Sequence, residues 1–189
     1  MTGRHLVVVD MQHVFADPGS GWATPGFAAI VPTVAALARA CAPDVTFTRF
    51  VAPARPEGAW RAYYARWAFA LQPPDAPLWD VVPELALLDS TVTGPTVDAP
   101  TFSKWGPELA ERVGAATLVL AGVSTDCCVL STAVAAADAG VPVRVVGDAC
   151  AGVDEASHRK ALDVLALYAP LVEVVTSADV LGSAPHGVA

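Results

Sequence analysis

The segment TLVLAGVSTDCCVLSTAVAAADAGVPVRVVG, residues 117–147, carries the pattern that decides the fold. It opens with an apolar run (117–123), continues with an alanine-rich helical pattern (126–139) and ends in a second apolar run (141–147). Apolar runs rich in β-branched residues are typical of strands that are buried on both faces of a sheet. A strand, a helix and a strand in succession indicate an α/β domain with a parallel sheet.

The rest of the chain repeats this alternation. Three further apolar runs and one weaker run predict strands: residues 5–9, 44–50, 171–175 and 92–97. Three further helical patterns lie between or beside them: residues 27–41, 107–113 and 154–168. The alternation predicts one α/β domain over residues 1–189, a Rossmann-like three-layer α/β/α arrangement with a six-stranded, mainly parallel sheet.

Composition limits the classes of partner. The 189 residues are 54% hydrophobic and carry a formal net charge of −8, so their surface repels phosphate backbones and nucleic acid is not expected as a partner. The longest uncharged stretch, residues 18–38, contains prolines and glycines that would break a membrane helix. With no export signal ahead of the first strand, we expect a cytoplasmic protein with reduced cysteines, no membrane partner and a small-molecule substrate.

Polar residues follow the predicted strands at the edge where α/β sheets bind ligands. Asp10, after four apolar residues, would be partly desolvated and suited to act as a general base, although a cap or turn role is the alternative. Lys104 is one of only two lysines among eleven Lys and Arg residues. This choice indicates that a compact ammonium was needed here instead of a planar guanidinium, with a solvated surface charge as the alternative.

Two adjacent cysteines, Cys127 and Cys128, fall in the first turn of a predicted helix that Thr125 or Asp126 would cap. The helix dipole and the free N–H groups there favour an anion, which would lower the pKa of a thiol. The same N–H groups could bind the oxyanion of a tetrahedral intermediate. The alternative is that both cysteines pack the helix start as small apolar residues.

Four segments together resemble the isochorismatase-like cysteine hydrolase superfamily, which includes nicotinamidases and N-carbamoylsarcosine amidase. They are VVVDMQ (7–12) with Phe close behind it, TFSKW (101–105), GVSTDCCVLSTA (122–133) and GDAC (147–150). The resemblance implies a six-stranded parallel sheet flanked by helices. It also implies a homo-oligomer, either a dimer or a tetramer.

The resemblance implies a catalytic triad of Asp, Lys and Cys. It assigns the Asp to Asp10 and the nucleophile to Cys128, which leaves Cys127 as a neighbour. It further implies a cis peptide at Val123–Ser124, a turn that would direct the backbone amides of Ser124 and Cys128 at the oxyanion.

The lysine departs from the family pattern. When Phe102 and Ser103 are aligned with the family's segment, Ala99 occupies the usual lysine position and Lys104 lies five residues later. We expect Lys104 to reach the site from a displaced backbone. The alternative is a triad without its lysine.

The surroundings of the triad are also expected from the sequence. Nicotinamidases hold a metal just after the second strand, but residues 51–55 here read VAPAR, so we expect no metal and no cofactor. Three residues near Asp10 are expected to line the substrate pocket: Gln12, Phe15 and Trp22. Four aromatic residues at helical spacing predict a stripe that belongs to the core or a subunit interface, with a substrate wall as the alternative: Trp60, Tyr63, Tyr64 and Trp67.

These residues predict a cysteine-dependent hydrolase that cleaves a C–N bond of the amide type in a small molecule through a thioester. One alternative is an isochorismatase-type vinyl-ether hydrolase, which shares the fold. Another is a non-catalytic member of the fold that binds a small ligand.

Overall fold

The computed structural model describes residues 3–88, 92 and 94–182. Within this part of the chain, six strands form one sheet in the order β3-β2-β1-β4-β5-β6, and every neighbouring pair is parallel. The strands are β1 (Arg4–Val9), β2 (Val45–Phe50), β3 (Val97–Ala99), β4 (Thr117–Val123), β5 (Val143–Ala151) and β6 (Val172–Val175). The predicted fold class is confirmed.

Helices cover both faces of the sheet. They are α1 (His13–Ala16), α2 (Phe27–Cys41), α3 (Trp60–Arg66), α4 (Pro83–Ala86), α5 (Pro107–Val113), α6 (Leu130–Asp138), α7 (Glu155–Ala166) and α8 (Ser177–Leu181). Helices α2 and α8 pack together on one side, and α6 and α7 pack together on the other. None of the helices in the described residues is long and apolar enough to span a membrane.

Several predicted elements have different bounds in the structure, and three differ most. The strand predicted at residues 141–147 is β5, which continues to Ala151. The weaker strand was predicted at residues 92–97, but β3 covers Val97–Ala99, Val92 lies in a turn and residue 93 is outside the described residues. The helix predicted at 126–139 begins as a π-helical turn, Thr125–Val129, and continues as α6. That prediction missed the wider turn because the apolar pattern does not distinguish a π turn from an α turn.

The central strands explain the continuous apolar runs. From Leu6 to Val9 in β1, and from Leu118 to Val123 in β4, no side chain is more than 1% exposed, because neighbouring strands and helices cover both faces. The chain leaves β1 toward β2 on one side of the sheet and returns beyond it to form β4 on the other. Strands β1 and β4 therefore meet at a topological switch point, where α/β sheets form a crevice for ligands.

Candidate active site

Asp10 lies immediately after β1, at this switch point. Its backbone has a φ of 51°, in the left-handed region that Asp tolerates better than most residues. The buried hydroxyl of Thr48 in β2 donates to Asp10 Oδ1 over 2.8 Å and accepts from the Asp10 backbone N–H over 3.3 Å. Thr48 therefore fixes both the main chain and the carboxylate of Asp10.

Lys104 reaches Asp10 from the loop that follows β3. Its Nζ lies 2.9 Å from Asp10 Oδ2, and neither side chain is exposed to solvent. The same ammonium donates to the carbonyl of Thr101 over 2.9 Å and lies 4.6 Å from the centre of the Phe50 ring. The ammonium is thus surrounded by a carboxylate, a carbonyl and the face of a ring. Lys104 makes these contacts although Ala99, at the end of β3, occupies the position where the family usually has its lysine.

Cys128 lies in the π-helical turn and is buried, with 3% of its surface exposed. A single hydroxyl links it to the lysine loop: Thr132 Oγ1 donates to the Cys128 carbonyl over 2.6 Å and accepts from the Lys104 backbone N–H over 2.9 Å. This connection holds the cysteine turn and the lysine loop in fixed relation.

Burial raises the pKa of the Cys128 thiol well above its usual range. The Asp10 carboxylate raises this pKa further through its negative charge, while the positive charge of Lys104 opposes that effect. The pKa of Cys127 is also raised, to about 11, chiefly by burial and then by the charge of Asp126. The expectation of a lowered thiol pKa is wrong here, because burial disfavours the charged thiolate of both cysteines.

The turn before Cys128 differs from the predicted cap. The Val123–Ser124 peptide is cis, and Ser124 occupies the cap position in place of Thr125 or Asp126. Thr125 Oγ1 instead lies 2.8 Å from His158 Nδ1, and Asp126 Oδ1 accepts from the backbone N–H of Val153 over 2.9 Å.

The backbone amides of this turn include the two that the sequence analysis assigned to an oxyanion hole. The N–H groups of Cys127 and Val129 both donate to the Ser124 carbonyl over 3.1 Å. Among the backbone hydrogen bonds that the described residues make outside their own helices and strands, none uses the N–H of Ser124 or of Cys128. These are the two amides that the sequence assigned to an oxyanion hole.

A cavity of about 270 Å³ opens over Cys128 and is walled mainly by aromatic rings. Phe15 and Trp22, which follow β1 in sequence, both line it. Trp22 is central to the wall: its ring stacks on Phe15 at 6.0 Å and meets the edge of Phe50 at 5.4 Å. The remaining lining residues are Gly21, Ala23, Phe50, Tyr63, Trp67, Phe102, Ser124, Asp126, Cys127, Cys128 and Val153.

Gln12 does not line this cavity, so its predicted place in the substrate pocket is wrong. Its side chain is fully buried and bonds to backbone on two other segments. Its Nε2 donates to the carbonyls of Phe50 (3.0 Å) and Trp79 (2.7 Å), and its Oε1 accepts from the Phe50 N–H over 2.7 Å. Gln12 satisfies buried backbone groups at the end of β2 and thereby holds Phe50 beside Lys104.

The aromatic stripe of α3 divides between two environments. Tyr63 and Trp67 line the cavity over Cys128. Tyr64 is only 2% exposed and belongs to the core, whereas Trp60 packs on Phe102 with ring centres 5.2 Å apart. Spacing alone placed the four rings on one helix face, but it could not show that this face borders the cavity.

Thr48 and Thr132 are contact residues that the sequence reasoning missed. Both are completely buried polar residues in elements predicted to be apolar. The signal available in the sequence was a threonine within each of these elements, because a hydroxyl that is buried there needs a hydrogen-bond partner. It does not reveal which partner, since Asp10 and Lys104 are remote in sequence.

A metal site of the nicotinamidase kind does not fit the residues present. The segment after β2, residues 51–55, supplies Val, Ala, Pro, Ala and Arg, none of which is a metal ligand. Throughout residues 3–88, 92 and 94–182, no group of three or more His, Cys, Asp or Glu side chains is placed to hold a metal ion.

The fold defines a doubly wound α/β protein whose candidate site lies at the switch point of the sheet. The family model described as the isochorismatase domain matches residues 4–179, nearly the whole chain. The chain therefore belongs to the isochorismatase family, a family of hydrolases. No curated protein sequence is significantly similar to it.

Several solved structures have the same fold. A cysteine hydrolase from Pseudomonas syringae pv. phaseolicola 1448A superposes with a TM-score of 0.80 at 24% identity, over 95% of this chain and 91% of its own. An isochorismatase family protein from Desulfovibrio vulgaris superposes with a TM-score of 0.79 at 22% identity, over 96% of this chain and 100% of its own. A nicotinamidase pyrazinamidase from Acinetobacter baumanii superposes with a TM-score of 0.75 at 23% identity, over 96% of this chain and 99% of its own. At these identities the likeness shows the fold alone.

Proposed function

We propose that the protein hydrolyses a C–N bond of the amide type in a small molecule, through a thioester on Cys128. The observation that carries this proposal is the buried ion pair of Lys104 and Asp10, 2.9 Å apart, whose charges act on a buried cysteine thiol. A buried base beside a nucleophile is the arrangement that covalent catalysis requires.

In the first step, the Asp10 carboxylate accepts the thiol proton of Cys128 while the sulfur attacks the carbonyl carbon of the amide. Because the pKa of Cys128 is raised, the thiol holds its proton until the substrate arrives, and proton transfer accompanies attack. The carbonyl π electrons move to oxygen, and the N–H groups of Ser124 and Cys128 donate to that oxyanion.

In the second step, the tetrahedral intermediate collapses and the C–N bond breaks. Asp10 returns its proton to the departing nitrogen, so the products are an amine or ammonia and a thioester. A water molecule then attacks the thioester carbon and gives its proton to Asp10. The sulfur departs with that proton, and the acid product is released. The positive charge of the Lys104 ammonium, 2.9 Å from Asp10 Oδ2, compensates the negative charge of the carboxylate in the resting site.

The charges around the cavity favour an amide over the vinyl-ether alternative. Isochorismate carries two carboxylates and would need cationic partners in a site of low dielectric. Asp126 is the only charged residue among those lining the cavity, and no Arg or Lys lines it within the described residues. A neutral amide meets no such penalty.

The test is ammonia release from a panel of small primary amides by the parent protein, Cys128→Ala and Cys127→Ala. We expect Cys128→Ala to lose activity by a factor on the order of 10⁴ or more, because a nucleophile cannot be replaced by its neighbours. Cys127→Ala is the matched control, since it removes an adjacent thiol at the same cavity, and we expect it to stay within about tenfold of the parent. Loss of activity in Cys127→Ala alone would contradict the assignment, as would an active Cys128→Ala.

A further inference from the structure

Thr132, on α6, is a fully buried threonine whose hydroxyl joins two segments of the chain. Its proton is donated to the Cys128 carbonyl, four residues earlier on the same helical path, over 2.6 Å. Because a hydroxyl carries a single proton, only its acceptor capacity remains, and this is used by the Lys104 backbone N–H over 2.9 Å. The bond to its own helix therefore fixes the direction in which the oxygen accepts from Lys104.

The segment around Lys104, residues 101–105, is a loop that is closed by its own hydrogen bonds. The Thr101 hydroxyl donates to the Ser103 carbonyl over 2.9 Å, and the Ser103 hydroxyl accepts from the Trp105 N–H over 3.2 Å. The Lys104 ammonium donates to the Thr101 carbonyl over 2.9 Å. These bonds determine the shape of the loop, but they do not fix its place relative to the sheet.

One main-chain hydrogen bond ties this loop to another segment. Within the part of the chain that the structure describes, the bond from the Lys104 N–H to Thr132 is the only one that joins the main chain of residues 101–105 to residues outside the loop. The Phe102 ring also packs on Trp60, with ring centres 5.2 Å apart. Ring packing is not directional, whereas a hydrogen bond constrains both distance and angle.

The turn that carries the nucleophile has hydrogen bonds of its own. The N–H groups of Cys127 and Val129 both donate to the Ser124 carbonyl over 3.1 Å. Asp126 Oδ1 accepts from the Val153 N–H over 2.9 Å and so ties the turn to the segment after β5. Loss of the threonine hydroxyl leaves these bonds in place, although it removes the bond that places the lysine loop.

The place of the loop determines whether the buried ion pair forms. Lys104 is only 3% exposed, so its N–H would lose free energy if no acceptor replaced the hydroxyl, and the loop would move to regain one. The ammonium of Lys104 lies 2.9 Å from Asp10 Oδ2, in a region that solvent does not reach. Coulomb attraction falls with distance, so a displaced backbone weakens this contact.

We propose that Thr132 is a positioning residue that holds Lys104 where its ammonium meets Asp10, and that it acts through the lysine and not through Cys128. This inference rests on the proposed amide hydrolysis, in which the Lys104 charge compensates that of Asp10. Among the described residues that line the cavity, neither Thr132 nor Lys104 is included. The effect therefore falls on kcat and leaves KM unchanged.

The test compares Thr132→Val, which keeps the shape without the hydroxyl, with Thr132→Ser, which keeps the hydroxyl without the methyl group. On the primary amide that the parent hydrolyses fastest, we expect Thr132→Val to lower kcat by about tenfold, the value of one hydrogen bond. Its KM should stay within about twofold of the parent value. Thr132→Ser should keep most of the parent kcat. A role in packing alone predicts the reverse order of the two variants, and that order would overturn the proposal.

Thr46→Val is the matched control, because it removes another buried threonine hydroxyl, one that bonds to His5. We expect its kcat to stay near that of the parent. A fall equal to that of Thr132→Val would mean that the loss is a general consequence of removing a buried hydroxyl, and would overturn the positioning role.

A double-mutant cycle separates the lysine from the cysteine as the route of the effect. When Lys104→Met has removed the ammonium, adding Thr132→Val should change kcat by less than about twofold, because nothing remains to be positioned. A further fall of about tenfold would show that Thr132 acts through Cys128, contrary to the proposal.

Crystal structures of the parent and of Thr132→Val test the role without any activity. In the variant we expect the separation of Lys104 Nζ and Asp10 Oδ2 to exceed about 4 Å, the limit of an ion pair, while residues 124–129 superpose on the parent. If the parent hydrolyses none of the amides, the proposed function fails, and this comparison still decides the positioning role. An ion pair unchanged at 2.9 Å would overturn it.

Discussion

Lys104 Nζ and Asp10 Oδ2 lie 2.9 Å apart in a part of the protein that solvent does not reach. Each of these charges would be costly to bury alone, and each is buried here because the other compensates it. The pair also sets the electrostatics of Cys128, whose thiol is affected in opposite directions by the two charges. Stability and the proposed chemistry therefore depend on the same contact.

Removal of the ammonium should affect both properties. Lys104→Met keeps much of the side-chain volume but leaves Asp10 buried without its partner, so we expect a loss of about 3–5 kcal/mol in the free energy of unfolding. We expect kcat/KM to fall by about 10²–10³ as well, as when a preorganised charge is lost from an active site. Urea unfolding and steady-state kinetics measure the two effects.

Lys160→Met is the matched control, since Lys160 is the other lysine of the chain and is exposed on α7. We expect it to change the free energy of unfolding by less than about 0.5 kcal/mol. A Lys104→Met protein as stable and as active as this control would show that the ion pair contributes neither to the free energy of unfolding nor to kcat/KM.

The hydroxyl of Thr48 should affect activity through Asp10. Thr48→Val removes the 2.8 Å hydrogen bond to the Asp10 carboxylate with little change in shape. Because hydrogen bonds to charged groups contribute about 1.5–3 kcal/mol, kcat/KM should fall by a factor of about 10 to 100. Thr46→Val, two residues earlier on β2, removes a buried hydroxyl that bonds to His5 and should leave kcat/KM near the parent value. A comparable fall in both variants would indicate a general effect of β2.

The raised pKa of Cys128 predicts how its alkylation depends on pH. In a Cys127→Ala background, the thiol holds its proton at pH 7, so iodoacetamide should react slowly there. The thiolate fraction, and with it the alkylation rate, should rise by about tenfold for each pH unit between 7 and 9. Peptide mapping separates Cys128 from Cys41 and Cys150, which are also buried. A rate that levels off below pH 7 would contradict the raised pKa.

Gly122 should tolerate no side chain, because β4 passes very close to β1 there. Its φ is +116°, and a Cβ atom would meet the Val9 backbone, with the nitrogen only 2.9 Å away. We expect Gly122→Ala to lower the free energy of unfolding by at least about 3 kcal/mol through strain and overlap. Gly140→Ala, with φ +86° but nothing within 4 Å, should lose only about 1 kcal/mol. Equal losses in urea unfolding would exclude the overlap as the cause.

Much of the fold and part of the site could be predicted from sequence. Helices α2 and α5 and strand β4 have the predicted bounds, because each is a continuous local pattern with clear ends. Strand β3 was displaced because it is only three residues long and lies at the sheet edge, where little burial imposes an apolar pattern. Asp10 could be proposed because it directly follows an apolar run, whereas Cys128 was distinguished from Cys127 by the family resemblance of its segment.

The sequence by itself determined the α/β alternation and the place of Asp10 at the end of β1, since periodicity and apolar runs are local properties of the chain. The assignment of Cys128 came from the resemblance of its segment to a known family. Only the tertiary structure decided the partner of Lys104, the clamping role of Gln12, the place of Tyr63 in the cavity wall and the high pKa of Cys128. The physical reason is that burial and charge pairing depend on segments far apart in sequence, which the folded sheet brings to one edge.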